Sequence, residues 1–250
     1  MCTLEGTIYY VADMFNNRIA CYEFYNQLDE PQWNTDWYIN YYFNHPADVE
    51  AKYRNNSQDQ TYIAIADEYN HRIVIYHQYP YTLGWDRNYG GYGSGQGQFK
   101  YPTSVCFGRD PQEGWFTNDI FVTDYGNHRL VKLHAELDTI YAIYWDGSYQ
   151  FPSDVELTSV DVDNKGLVYV VDRRHSQVYK FATTQGYPYS FQLLGIWGEE
   201  GTEDGQLDHP NTIQVAHGRC VPYPDPWYPL NGLGDVFVTE SWGDQTGVRK

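Results

Sequence analysis

The stretch Phe121-Val-Thr-Asp124-Tyr-Gly-Asn127-His-Arg129-Leu-Val-Lys-Leu133 decides how this chain folds, because versions of it recur along the whole length. Phe121 to Thr123 and Leu130 to Leu133 alternate apolar and polar side chains, the pattern of half-buried strands. Between them, Gly126-Asn127 supplies residues that tolerate positive φ, so the segment reads as two strands around a tight turn. Asp124 leaves the first strand where Arg129 enters the second. One carboxylate and one guanidinium can therefore clip the turn through charge-assisted hydrogen bonds.

Two further copies keep both partners: Asp13 with Arg18 between Ile8 and Tyr22, and Asp67 with Arg72 between Tyr62 and Tyr76. A fourth has Asp172 but carries Gln177 in the arginine position, which predicts a weaker clip, and a fifth keeps only Glu240. These acids lie about 50 to 70 residues apart, the length of a four-stranded unit with variable loops, which cannot bury both faces alone. Upstream of three of the turns a strand is expected to start at a proline, at His45-Pro46, Tyr101-Pro102 and His209-Pro210. Asp36 to Phe43 reads as another strand. Gly97-Gln98-Phe99-Lys-Tyr-Pro102 matches Gly205-Gln206-Leu207-Asp-His-Pro210, and the glycine-rich run from Gly90 reads as a connector between units.

These residues resemble the NHL-repeat family of β-propellers: Asn70-His71-Arg72-Ile73 and Asn127-His128-Arg129-Leu130 carry its naming tripeptide, and Asn16-Asn17-Arg18-Ile19 approximates it. The resemblance spans nearly the whole chain. It implies an all-β propeller, a single domain over residues 1–250 with about five repeats visible. The first repeat lacks an inner strand and the fifth stops at Val248-Arg-Lys250, so the expectation is a fragment of a six-bladed ring or a ring completed by another chain. Related propellers bind proteins or RNA, and some are enzymes, so the fold does not fix the function.

Charge narrows the partners. With 33 acidic against 16 basic residues the net charge is −17, which opposes binding to nucleic acid or to anionic membranes. No apolar run reaches membrane-spanning length. The aromatic load is heavy, with 26 Tyr, 8 Trp and 11 Phe, and serves strands as well as recognition surfaces. Cys2, Cys21, Cys106 and Cys220 show no metal-ligand spacing; disulfides and buried thiols both stay open. Asn55-Asn56-Ser57 fits a glycosylation acceptor at Asn55, pointing toward an extracellular or cell-surface setting.

For enzymatic chemistry the nearest implied template is the amidating lyases, whose metal-binding histidines follow the inner-strand proline. The corresponding residues here are Ala47, Thr103 and Asn211, which cannot replace imidazole at zinc. His45 and His209 precede their prolines and read as turn residues, and His71 and His128 as structural parts of the repeat. Asp161-Val-Asp163-Asn-Lys-Gly166 reads as a strand-connecting turn and not a calcium loop, since Lys165 stands where a ligand is needed. No catalytic, cofactor or metal residues are assigned. The sequence favours a non-catalytic binding or structural scaffold engaging a protein partner or its own assembly. Trp227 and Tyr228, in the aromatic insertion between Gly218 and Leu233, and Tyr92 are the candidate contacts. The alternative is a metal-dependent propeller lyase or hydrolase with its site in the central channel.

Overall fold

The computed structural model describes residues 7–24, 32–33, 42–54, 60–79, 82–111, 116–136, 142–184, 190–216, 235–242 and 245–249. They form five antiparallel meanders in chain order. The first holds β1 (Thr7–Asp13), β2 (Arg18–Phe24) and β3 (Gln32–Trp33). The second holds β4 (Pro46–Arg54), β5 (Gln60–Asp67), β6 (Arg72–Tyr79) and β7 (Thr82–Gly90). The third is β8 (Pro102–Arg109), β9 (Phe116–Asp124), β10 (Arg129–Glu136) and β11 (Ala142–Gln150); the fourth is β12 (Leu157–Val162), β13 (Val168–Asp172), β14 (Gln177–Thr183) and β15 (Phe191–Trp197). The last is β16 (Pro210–Val215), β17 (Val236–Trp242) and β18 (Gln245–Arg249). The expected strand over Asp36 to Phe43 falls mainly outside the described residues; Tyr42 and Phe43 themselves are not in a strand.

The sheets stack face to face in sequence order, with β8 lying between β4 and β12, and β16 beyond β12. Alternation within each strand sends side chains to opposite neighbours. Ile63 and Ile65 pack with Ile19 of the first sheet, whereas Tyr62, Ala64 and Ala66 pack with Val105, Phe107 and Val122 of the third. Leu130 and Phe121 meet Val160, Val168 and Phe181 of the fourth sheet, and Val171 and Val178 meet Ile213 and Val238 of the fifth. The half-buried reading of the opening stretch is therefore corrected. Residues 120–124 and 129–133 are buried on both faces. Their polar members survive because each has a partner: Thr123 shares a 2.9 Å hydrogen bond with Thr103, and Lys132 sits 3.0 Å from Asp119.

The turn is also not the one the sequence suggests. A single 3-10 turn, Tyr125–Asn127, joins β9 to β10, and the left-handed residue is His128 at φ 51°, as Asn17 and His71 are in their copies. Gly126 is required for a different reason: a Cβ there would lie 3.0 Å from the Lys100 carbonyl oxygen and 3.1 Å from the Tyr101 ring.

Neighbouring sheets are stitched through their inner strands, with β4, β8, β12 and β16 aligned on Pro46, Pro102, Leu157 and Pro210. Asp48 accepts from Val105 N (3.0 Å), Ser104 from Val160 N (3.2 Å) and Ser159 from Ile213 N (3.2 Å). Two residues further on, Glu50 accepts from Phe107 N, and Asp161 from Val215 N (2.6 Å). Each inner strand thus satisfies the edge N–H groups of the next, which burial would otherwise leave unpaired. The matching residue on β8 is Cys106, and there Asp161 bonds the amide of Val162 itself, at 2.7 Å. Cys106 and Cys21 are buried free thiols, and burial pushes Cys21 up to about 12. Cys2 and Cys220 lie outside the described residues.

Candidate binding surface on the turn face

The Asp–Arg clips form at all three predicted positions: Arg18 Nε donates to Asp13 at 2.7 Å, Arg72 Nε to Asp67 at 2.6 Å and Arg129 Nε to Asp124 at 2.7 Å. Each acid also takes an amide donor from the Asn three residues on, Asn16, Asn70 and Asn127. The second and third acids additionally hold the chain ahead of the inner-strand proline, through Asn44 N and Lys100 N at 2.8 and 2.7 Å. Arg129 goes furthest: it donates to the carbonyls of Ser94, Gly95 and Gln98, fixing the glycine-rich connector, and lies over the Trp145 ring. The fourth clip is not simply weakened by Gln177. His175 takes the Asn position and its Nδ1 meets Asp172 at 2.7 Å, while the other carboxylate oxygen accepts from Glu156 N at 3.0 Å. In the fifth, Glu240 accepts from Asp208 N at 2.9 Å.

The histidines of the repeat reach forward to the next sheet. His71 Nδ1 accepts from Tyr101 N at 3.2 Å and His128 Nδ1 meets Val155 O at 3.1 Å; Asn17, in the first copy, accepts from His45 N at 2.7 Å. Tyr101, His45 and His209 each sit at positive φ just before their prolines.

This arrangement brings a run of aromatic rings to the surface where the turns meet. Phe15 stands edge-on to His45, which stacks in parallel on Tyr69 with centroids 4.3 Å apart. Tyr69 meets Tyr101 at 85°, Tyr101 meets His71 at 75°, and His71 meets Tyr92. Phe15, Tyr69, Tyr92 and Tyr101 are all exposed, Phe15 by 88 % and Tyr92 by 64 %. A cavity of about 490 Å³ opens among Glu68, Tyr69, His71, Tyr101 and Tyr125. The Glu68 carboxylate at its side is paired with His45 Nδ1 at 2.5 Å.

Of the residues singled out from sequence, Tyr92 lies in this surface, with the Lys100 ammonium 5.7 Å from its ring. Trp227, Tyr228 and Asn55 lie outside the described residues. Sequence reasoning passed over Tyr69, Tyr101 and Tyr125. Their signal was positional: they occupy the turn and the residue before the inner-strand proline, which converge on one face. His45, read as a turn residue, is a member of the same ring series.

Other clusters are engaged by neighbouring protein groups, although Asp146 Oδ2 is buried with an ion pair to Lys132 and no hydrogen bond among the described residues. Asp119, His134 and Asp146 offer ligand atoms within 4.8 Å of one another, but the buried Lys132 ammonium lies 3.0 and 3.5 Å from the two carboxylates and already supplies the cation. Asp163 caps its own turn, accepting from Lys165 N, Leu167 N and the Tyr169 hydroxyl, so the segment read as a turn is one. Thr103 donates to Leu157 O at 2.8 Å. The carboxylates of β4 and β12 are committed to backbone amides, as described above.

Stacked antiparallel meanders joined through their innermost strands define a β-propeller. No protein-family profile matches the chain, and no curated protein matches it by sequence. Solved structures do. A functionally unknown protein from Desulfotomaculum acetoxidans aligns over 95 % of this chain and 65 % of its own at 13 % identity and TM-score 0.57. A putative 6-phosphogluconolactonase from Bacteroides uniformis aligns over 98 % of this chain and 67 % of its own, at 10 % identity and TM-score 0.57. Virginiamycin B lyase from Staphylococcus aureus gives 98 % and 68 %, at 11 % identity and TM-score 0.54. The likeness is one of fold, and the chain spans about two thirds of the length of these proteins. No helix among the described residues is long and apolar enough to cross a membrane.

Proposed function

We propose that this propeller is a non-catalytic binding module of NHL-repeat type that engages a protein partner through its turn face. The observation that carries the reading is the exposed ring series Phe15, His45, Tyr69, Tyr101, His71 and Tyr92 around an open cavity. Exposed aromatic area is costly to leave in water and supplies rigid contact surface at small entropic loss. The acidic balance favours basic partners and disfavours nucleic acid. Extracellular or cell-surface placement is part of the proposal, with glycan at Asn55 as its check. The insertion bearing Trp227 and Tyr228 is a second contact candidate.

The test is a random peptide library selected against the wild-type protein and against a Tyr69→Ser, Tyr92→Ser double variant. Peptides enriched by the wild type and lost on the variant are expected. Equal enrichment on both would overturn the role of this face. The alternative, a metal-dependent lyase or hydrolase working in the channel, would be supported by stoichiometric zinc or calcium in the purified protein. The commitment of Asp48, Glu50 and Asp161 to backbone amides favours the binding reading.

A further inference from the structure

Comparing successive repeats shows a ring that one repeat omits. Tyr69 N donates to Asn44 O, and its side chain stacks in parallel on His45, the residue before Pro46. One repeat later Gly126 N donates to Lys100 O in the same way, beside Tyr101, the residue before Pro102. Gly126 has no ring to offer. Among the described residues Tyr101 has the edge-to-face neighbours Tyr69 and His71 and no parallel ring against it. The cavity bounded by Glu68, Tyr101 and Tyr125 adjoins this position.

We infer that the position is filled by the guanidinium of an arginine side chain on the partner protein, stacked on Tyr101 and paired with Glu68. This rests on the turn face being a protein-binding surface. Three features select this chemistry. A guanidinium is flat and stacks on an aromatic face as a missing ring would, whereas an ammonium is a compact point charge. Tyr69 and His71 stand at 85° and 75° to Tyr101 and all three line the cavity, so a cation there is bordered by aromatic rings. A sugar would be expected to want a flatter platform. Finally, Glu68 supplies a carboxylate with lone pairs beyond the one directed at His45, in a chain of net charge −17. The Lys100 ammonium over Tyr92 shows a cation already resting on a ring at the rim.

The experiment is a titration, followed by NMR of the Tyr101 and Tyr125 rings, with acetyl-Gly-Arg-Gly-amide, its citrulline counterpart and maltose. The arginine peptide is expected to bind roughly tenfold more tightly than the citrulline peptide, which keeps the shape and lacks the charge. Tyr101→Asn is expected to abolish the difference; Asn tolerates the φ of 54° at this position, so the turn should persist. Glu68→Gln, which keeps the cavity shape, is expected to weaken arginine binding by a similar factor. Equal binding of arginine and citrulline, retention of affinity in both variants, or preference for maltose would overturn the inference. Library peptides that depend on Tyr69 and Tyr92 but carry no arginine would overturn it while leaving the binding face intact. Failure to select any peptide would remove both.

Discussion

Asp124 and Arg129 make the same pair as Asp13 and Arg18, yet the two are worth different amounts. The first pair is almost wholly buried, with side chains 0 % and 8 % exposed, and burial raises the Asp124 carboxyl despite its guanidinium partner. The second is 25 % and 34 % exposed, and Arg18 holds Asp13 below its ordinary value. Arg129→Ala is expected to cost about 3–5 kcal/mol in denaturant unfolding, because it strands a buried carboxylate and frees three connector carbonyls. Arg18→Ala should cost under about 1 kcal/mol. The acids and arginines were legible in sequence because their chemistry is complete within six residues. His175 was not, since its role follows from standing in the Asn position three residues after Asp172, which spacing to Gln177 concealed. Gly126 was legible as a turn residue for the wrong reason: its constraint comes from Lys100 and Tyr101, a contact between distant segments.

At the level of strands, the inner-strand stitches carry a test of their own. Ser104 both donates to Asp48 at 2.6 Å and accepts from Val160 N, so Ser104→Ala strips partners from a carboxylate and a buried amide at once. A loss of about 1–3 kcal/mol is expected, with faster hydrogen exchange at Val160. The outer strands Thr82–Gly90 and Phe191–Trp197 were not legible, whereas the number of repeats and the order of their inner hairpins were readable from the turn acids and prolines. The burial of both faces was not, because Thr123 and Lys132 look solvent-facing until the neighbouring sheets supply Thr103 and Asp119. The ring series escaped for a similar reason: Tyr69, Tyr101 and His71 belong to separate segments that only stacking of sheets makes adjacent.

Across the whole molecule, the acidic charge is not spread passively over the surface. Burial, reinforced by Asp161, lifts the Glu50 carboxyl to about 8, and burial raises Asp48 as well. A group whose pKa is higher folded than unfolded binds more protons in the fold. Its stabilisation is therefore complete below about 4.5 and is lost as pH rises through about 8. Thermal unfolding is expected to move to lower temperature across that window, and Glu50→Gln should remove about 2 kcal/mol of the decline, residual solvent contact screening the rest. An unchanged slope in the variant would locate the pH dependence elsewhere.

The stitches between sheets all point one way: an oxygen on one inner strand receives the amide of the next in sequence. At the three junctions stitched in this way each sheet consequently has a head and a tail, and the contact is a heterologous one of the kind that builds rings or open helices according to its rotation. Such a rule does not count. It would accept one more sheet or one fewer at any junction, so the number of blades in a closed ring is governed by the angle between successive sheets. A repeat could then be duplicated, deleted or exchanged as a cassette, provided it kept an acceptor on one side and a free amide edge on the other.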